Sequence, residues 1–255
     1  MKKILIILLL PLFSISQSNF NLQLLGSYQW SFSEGSDIWG WVDSNGNEFA
    51  LVGLNDGFSV VDVTNPMNLN EMFYIPDLNS TWRDIKTWGN YAYVTTEADA
   101  GLLIVDLSDM SGNTYWHKTN FTNPNGQSTE FTAAHNIYID ENGIAYIFGA
   151  SSNSGSNPSN GAIFLDVAAD PINPHYLGEW DQNYIHDGMV RGDTMYAGCI
   201  YAGELFIVDV SNKSNPQTLG SKSTPSNFTH NAWVSDDGDY VFTTDEVNGA
   251  FLGSY

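Results

Sequence analysis

The sequence predicts an all-β fold, a β-propeller of four-stranded blades, and three observations predict it. A phrase built on Val-Asp or Leu-Asp recurs: "FSVVDVTNP" from Phe58, "LLIVDLSDM" from Leu102, "AIFLDVAADP" from Ala162 and "LFIVDVSNKSNP" from Leu205. Its Asp falls at 62, 106, 166 and 209, at intervals of 44, 60 and 43 residues. The chain around these phrases breaks into short alternating runs punctuated by Gly, Asn, Asp and Pro, as half-buried strands between turns do. Almost nothing carries the 3.6-residue period of a helix. A repeat of a little over forty residues holding four short strands is a propeller blade.

One unit shows the plan. "HNIYID" is a first strand, the turn Glu141-Asn142-Gly143 leads into "IAYIFGA", "GAIFLDV" is third and "PHYLGEWD" fourth. The long middle interval holds two polar insertions, loops at 119–133 and 151–160. The recurring Asp ends each third strand before a turn, where a short carboxylate accepts backbone N–H bonds. It recurs whatever surrounds it, so its work is structural. "LQLLGSYQW" from Leu22 matches the fourth-strand phrases, which predicts an N-terminal outer strand that closes the last blade and covers an edge. "NGAFLGSY" reads as a third strand cut short. The expectation is four blades plus part of a fifth, a C-terminally shortened piece of a larger ring.

Residues 1–16 read as a signal peptide, with Met1-Lys2-Lys3, an apolar run from Ile4 to Phe13 and small residues after it. That run is too short to span a bilayer. The propeller domain is then 17–255, exported, with no transmembrane helix. One cysteine, Cys199, excludes an internal disulfide and suits bacterial export. The sequons at Asn79 and Asn120 are then chance. The formal charge of −21 excludes nucleic acid and anionic lipid as partners. It also keeps an exported chain soluble.

Aligning the units on their second strands brings five short motifs into register: Asp37 of "SDIWGW", Arg83-Asp84, His135-Asn136, His186-Asp187 and His230-Asn231. Each opens the innermost strand of a blade, so Asp37, Asp84, Asn136, Asp187 and Asn231 form a ring near one mouth of the channel. Arg83, His135, His186 and His230 sit beside them. Adjacent strand residues point to opposite faces, so one of each pair faces the axis and the other bonds between blades. Glu97 and Glu246 end corresponding second strands and are candidates for the same mouth. His117 and His175 fall on outer strands.

Three readings stay open. The pairs are polar mortar that satisfies crowded inner strands. Or they hold a metal: His135, His186 and His230 suit zinc, while Asp84 and Asp187 suit calcium as well, as in calcium-dependent propeller lactonases by fold analogy alone. Or they bind a ligand directly. Trp39, Trp41, Trp82, Trp88 and Trp233 cluster around first strands, where they fill the wedge between blades; the alternative is an aromatic platform for a sugar face, though no spacing singles one out. No Gly-x-Ser-x-Gly elbow, phosphate loop, His-Glu-x-x-His or paired-Cys motif is present.

"SDIWGW", "WRDIK", "AHNIYID", "IHDGM", "HNAWVSDDGDYVFTTDE" and the "IVDVSN" phrase resemble LVIVD-repeat proteins of the choice-of-anchor B type. The resemblance implies an exported bacterial propeller displayed on the cell surface through a C-terminal anchoring or sorting domain. No such domain stands in this sequence. The resulting expectation is a surface or secreted propeller that binds an extracellular protein or carbohydrate partner. The alternative is a metal-dependent, lactonase-like hydrolase at the channel mouth.

Overall fold

The computed structural model describes residues 22–152 and 157–255. The proposed signal peptide therefore lies outside the described residues. The architecture is all-β, and among the described residues no helix is long and apolar enough to cross a membrane.

The first blade comprises β1 (Gly35–Val42), β2 (Glu48–Leu54), β3 (Gly57–Asp62) and β4 (Asn70–Pro76). The second comprises β5 (Arg83–Trp88), β6 (Tyr91–Thr96), β7 (Leu102–Asp106) and β8 (Tyr115–Lys118). A hairpin of β9 (Asn120–Thr122) and β10 (Ser128–Glu130) follows. The third blade is β11 (Asn136–Ile139), β12 (Ile144–Phe148), β13 (Ala162–Asp166) and β14 (His175–Trp180). The fourth is β15 (Asp187–Arg191), β16 (Thr194–Cys199), β17 (Glu204–Asp209) and β18 (Gln217–Ser223). A fifth sheet has β19 (Thr229–Val234), β20 (Val241–Asp245) and β21 (Gly253–Ser254). All pairings are antiparallel, and strand order within each blade follows chain order.

The blades fan around an axis. β1 packs beside β5, β5 beside β11, β11 beside β15 and β15 beside β19, so the five first strands form the hub. The core lies in the seams. One cluster joins Leu51, Phe58 and Ile75 of the first blade to Ile85, Val94 and Leu103 of the second. Another joins Tyr93 and Ile104 to Ile137, Ile147 and Ile163. A third joins Phe148, Phe164 and Trp180 to Val190, Met195 and Val208. These side chains are almost completely buried, each worth about 1.5–3 kcal/mol against exposure. Trp41 and Trp88 fill wedges as expected, whereas Trp82 and Trp233 are exposed.

The repeated Asp does its turn work in all four complete blades. Asp62 Oδ1 accepts the N–H of Thr64 at 2.9 Å, Asp106 that of Ser108 at 2.9 Å, Asp166 that of Ala169 at 2.8 Å and Asp209 that of Ser211 at 2.8 Å. The recurring Leu-Gly of the outer strands also has a cause. A bulge separates Phe164 from Leu165 opposite β14, and Ile207 from Val208 opposite β18. In each case the Leu before the Gly drops out of register, at Leu177 and Leu219. Such a bulge sharpens the twist of the strand.

Residues 22–30 take no strand pairing, and Leu22 and Leu24 are each 80% exposed. Yet the segment sits on the first blade as β14 sits on the fourth. A Cβ on Gly26 would lie 2.0 Å from Pro66 O, and one on Gly178 would lie 2.0 Å from Lys213 O. Trp30 Nε1 donates to Glu71 Oε1 at 2.8 Å, and Trp180 Nε1 to Thr218 Oγ1 at 3.0 Å. Pro66 and Lys213, like Glu71 and Thr218, hold equivalent places in their repeats. The segment thus occupies the seat of an outer strand without the inner strands that would hydrogen-bond to it.

The first polar insertion is partly a structured element. Phe121 and Phe131 stack with ring centroids 5.0 Å apart and join the core of the second seam. Of the second insertion, Asn157 is buried and bonds Ala150 O and Gly161 N–H, while residues 153–156 lie outside the described residues.

Candidate functional site

The hub opens into a cavity of about 360 Å³ whose wall carries residues from all five blades. The repeat explains this convergence, because each first strand begins at the same height on the axis. Of the sequence-predicted residues, Asp37, Arg83, Asp84, His135, Asn136, His186, Asp187, His230, Asn231 and Glu246 line it. Glu97 lines an adjoining cavity of about 250 Å³, which also meets His135, His186 and Glu246. A larger, open depression of about 920 Å³ lies elsewhere, between residues 29–34 and 79–81, with no histidine in its wall.

The carboxylates of the first two blades are bound into the scaffold. Asp37 Oδ2 accepts the Ile85 N–H of the next blade at 3.0 Å. Asp84 Oδ2 accepts the Ile137 N–H of its next blade at 3.1 Å and the Asn136 amide. Asp84 Oδ1 takes the Ile85 N–H at 2.7 Å and Lys86 Nζ at 2.8 Å. Burial, together with the hydrogen bond to Asp84 and its charge, pushes the Asp37 carboxyl up to about 7, against a smaller opposing pull from Lys86 and the Ile38 N–H. Arg83 turns its guanidinium away from the axis: Nε reaches Leu54 O at 2.7 Å, Nη1 reaches Asp77 Oδ2 at 2.7 Å, and Nη2 bonds Leu78 O. Only the root of Arg83 borders the channel, because the seam between the first two blades captures its head.

The histidines form an arc of mutually tilted rings, with interplanar angles of 54° and 43°. Ring centroids are 3.8 Å apart for His135 and His186, and 4.4 Å for His186 and His230. Asp187 lies against all three. His186 Nδ1 is 3.5 Å and His135 Nε2 3.9 Å from Asp187 Oδ1, while His230 Nδ1 is 3.4 Å from Oδ2. Glu97 Oε1 is 2.6 Å from His135 Nδ1, and Glu246 Oε2 is 3.8 Å from His186 Nε2. Burial draws the His135 imidazole down, but the Glu97 bond and the charges of Asp187, Glu97 and Asp84 outweigh it and leave the ring easier to protonate than ordinary histidine. The His186 Nδ1 atom is buried without a hydrogen-bond partner. Among the described residues, two three-residue sets place donor atoms close enough to hold a metal: His135–His186–Asp187 and His186–His230–Glu246.

Two opposed glycines let the hub close. Gly198 pairs with Asp187, and a Cβ there would lie 2.8 Å from His230 O and 3.0 Å from Asp187 O. Gly53 pairs with Asp37, and a Cβ there would lie 3.0 Å from the Cβ of Arg83.

Sequence reasoning missed an aromatic collar over the arc. Trp82, Tyr184, Tyr201 and Phe228 wall the smaller cavity. The Tyr184 ring lies 5.0 Å from that of Tyr201 and 6.4 Å from that of His186. Burial and the nearby Glu97 charge raise the Tyr184 pKa, keeping its phenol a donor. Trp82 and Tyr184 stand one and two residues before the ring motifs, and that proximity was the available signal. Lys86 was also missed. It stands two residues after Asp84, hence on the same strand face, and its Nζ lies 4.5 Å from the Trp39 ring centroid. His117 is exposed on β8 and His175 opens β14, both on outer strands away from the mouth.

Fold and hub together define a β-propeller, and LVIVD repeats occur in three stretches of it. The LVIVD repeat model matches residues 45–76, 81–114 and 190–224. No curated protein matches the chain. Among solved structures it is similar to a Bacteroides uniformis protein provisionally named a 6-phosphogluconolactonase, with a TM-score of 0.58, 13% identity, and 84% of this chain and 65% of that one covered. It is also similar to PorZ of Porphyromonas gingivalis, a surface component of the type-IX secretion system, with a TM-score of 0.56, 16% identity, and 81% and 30% covered. A third is the Cps50 (Swd1) β-propeller domain of Myceliophteria thermophila, with a TM-score of 0.53, 10% identity, and 87% and 73% covered. The chain therefore spans less than two thirds of the length of the first two. At these identities the similarity is one of fold.

Proposed function

We propose that the protein is an exported bacterial propeller that binds a carbohydrate or carbohydrate-bearing protein at the channel mouth. Export rests on the charged, apolar and small-residue succession of residues 1–16. The observation that carries the binding reading is the aromatic collar beside the polar hub. Trp82 is 53% exposed and Tyr201 78% exposed, and both stand directly over imidazole and carboxylate groups. Flat rings offer stacking surface to the apolar faces of a sugar, while the groups below meet its hydroxyls. A site needs this pairing of apolar platform and convergent polar groups to fix orientation.

The test is a glycan array probed with the labelled chain, followed by calorimetry on the glycans it retains. Binding should fall sharply in Trp82→Ala and Tyr201→Ala, and stay unchanged in Trp233→Ala, whose ring is exposed away from the collar. Retention of no glycan, or retention indifferent to Trp82 and Tyr201, defeats the reading. A second reading, a hydrolase acting on lactones or esters, is favoured by one observation. Glu97 and Glu246 stand at opposite ends of a histidine cluster whose donor atoms lie close enough to hold a metal, positions from which a carboxylate can move protons. Turnover of simple lactones that ends on replacing Glu97 or Glu246 by Gln would promote it.

A further inference from the structure

We infer that the arc binds one divalent transition-metal ion, of the zinc class, through His135 Nε2, His186 Nδ1 and the Asp187 carboxylate, with His230 Nδ1 at the second carboxylate oxygen. This goes beyond the ligand-binding reading and does not depend on it.

Three observations carry it. The first is spacing. The three imidazole nitrogens stand 3.4, 3.5 and 3.9 Å from Asp187 oxygens. Those spans exceed the roughly 2.7–3.2 Å of a hydrogen bond to oxygen. The two shorter ones match the separation of about 3.4 Å between two donors of a tetrahedral ion with bonds of about 2.1 Å, and the His135 span of 3.9 Å is the widest of the three. The second is unmet demand. His186 Nδ1 is buried with no hydrogen-bond partner. Asp187 accepts no backbone N–H among the described residues, although its counterparts Asp37 and Asp84 both do. The third is orientation. Glu97 holds Nδ1 of His135 at 2.6 Å, which turns the Nε2 lone pair toward Asp187. A carboxylate behind a metal-binding imidazole fixes its tautomer in this way. In the neutral ring that lone pair faces the carboxylate, and a metal ion competes with a proton for the place between them.

The donor set also selects the ion. Two or three imidazoles with one carboxylate suit zinc, cobalt or nickel, whereas calcium takes oxygen ligands. Asp84, a sequence-level candidate for the metal, drops out of the set. Its oxygens already serve Ile85, Ile137, Asn136 and Lys86.

The test is calorimetric titration of the chelator-treated chain with Zn²⁺, and visible spectroscopy of its Co²⁺ form. The expected result is one ion per chain, with the intense cobalt bands of a four-coordinate site containing nitrogen. His186→Ala and Asp187→Asn should abolish binding. Glu97→Gln should weaken it by about 10–100-fold while leaving the fold intact by circular dichroism. His117→Ala, on an outer strand, should change nothing. Should the first two variants fail to fold, Glu97→Gln decides the matter alone. No stoichiometric uptake, uptake equal in Glu97→Gln and the parent, or a cobalt spectrum of an all-oxygen octahedral site would each overturn the inference. None of these readouts involves sugar, so failure here and failure of the binding reading are distinguishable.

Discussion

Asp84 and Asp187 occupy the same place in their repeats, each opening an inner strand next to a basic residue, and they have opposite surroundings. Asp84 is a fastener. One oxygen reaches forward to Ile137 and Asn136 of the next blade, and the other is neutralised by Lys86. Asp187 is buried to the same degree but, among the described residues, is met by three imidazole edges 3.4–3.9 Å away. The comparison separates two jobs that a repeated position can do. On one side of the hub it closes the seam between blades. On the other it sets a carboxylate among three imidazoles.

The contrast can be broken most forcefully at Asp84. Asp84→Ala should cost about 3 kcal/mol in denaturant unfolding, because it strands Lys86 and the buried Ile137 N–H together. A loss below about 1 kcal/mol would mean that the fastener is dispensable. A smaller effect is expected at Asp37. Its folded-state pKa is raised, so its contribution to stability is full below pH 4 and is lost as pH rises toward about 7. Asp37→Asn keeps an acceptor for Ile85 and removes this titration. It should stabilise the chain at pH 8 by about 1 kcal/mol, after allowance for solvent screening of a partly exposed group. The slope of stability between pH 4 and pH 8 should flatten, as thermal melts across that range would record. The smallest effect belongs to the arc. In chelator-treated protein, His186→Leu should shift stability by less than about 1 kcal/mol, since the polar atom it deletes makes no hydrogen bond. A large loss there would make the arc a second fastener and erase the comparison.

Much of the fold was legible because its determinants are local and repeated. The Val-Asp turn needs only a carboxylate two or three residues before the N–H it accepts, so spacing alone exposes it. The gathering of His135, His186 and His230 was legible for another reason: equal strand rank in successive blades implies equal height at the hub. Direction was harder to read. Arg83 shares its motif position with the histidines, but its longer side chain reaches back into the seam to Asp77 and the carbonyls of Leu54 and Leu78. The collar was hidden because its rings sit in connections, Trp82, Tyr184 and Phe228 just before their motifs and Tyr201 between β16 and β17, where strand alternation does not give a side chain's direction. Polar composition masked the β9–β10 hairpin, although Phe121 within it and Phe131 directly after it were the apolar pair that seats it on the core.

The hydrophobic clusters belong to the boundaries between sheets rather than to any one sheet. A lone blade cut from this molecule would have two greasy sides and no interior. Gene duplication therefore gains nothing by copying one repeat into isolation. Every added repeat arrives with half of its core already waiting on the blade before it, and stability grows with the number of such boundaries.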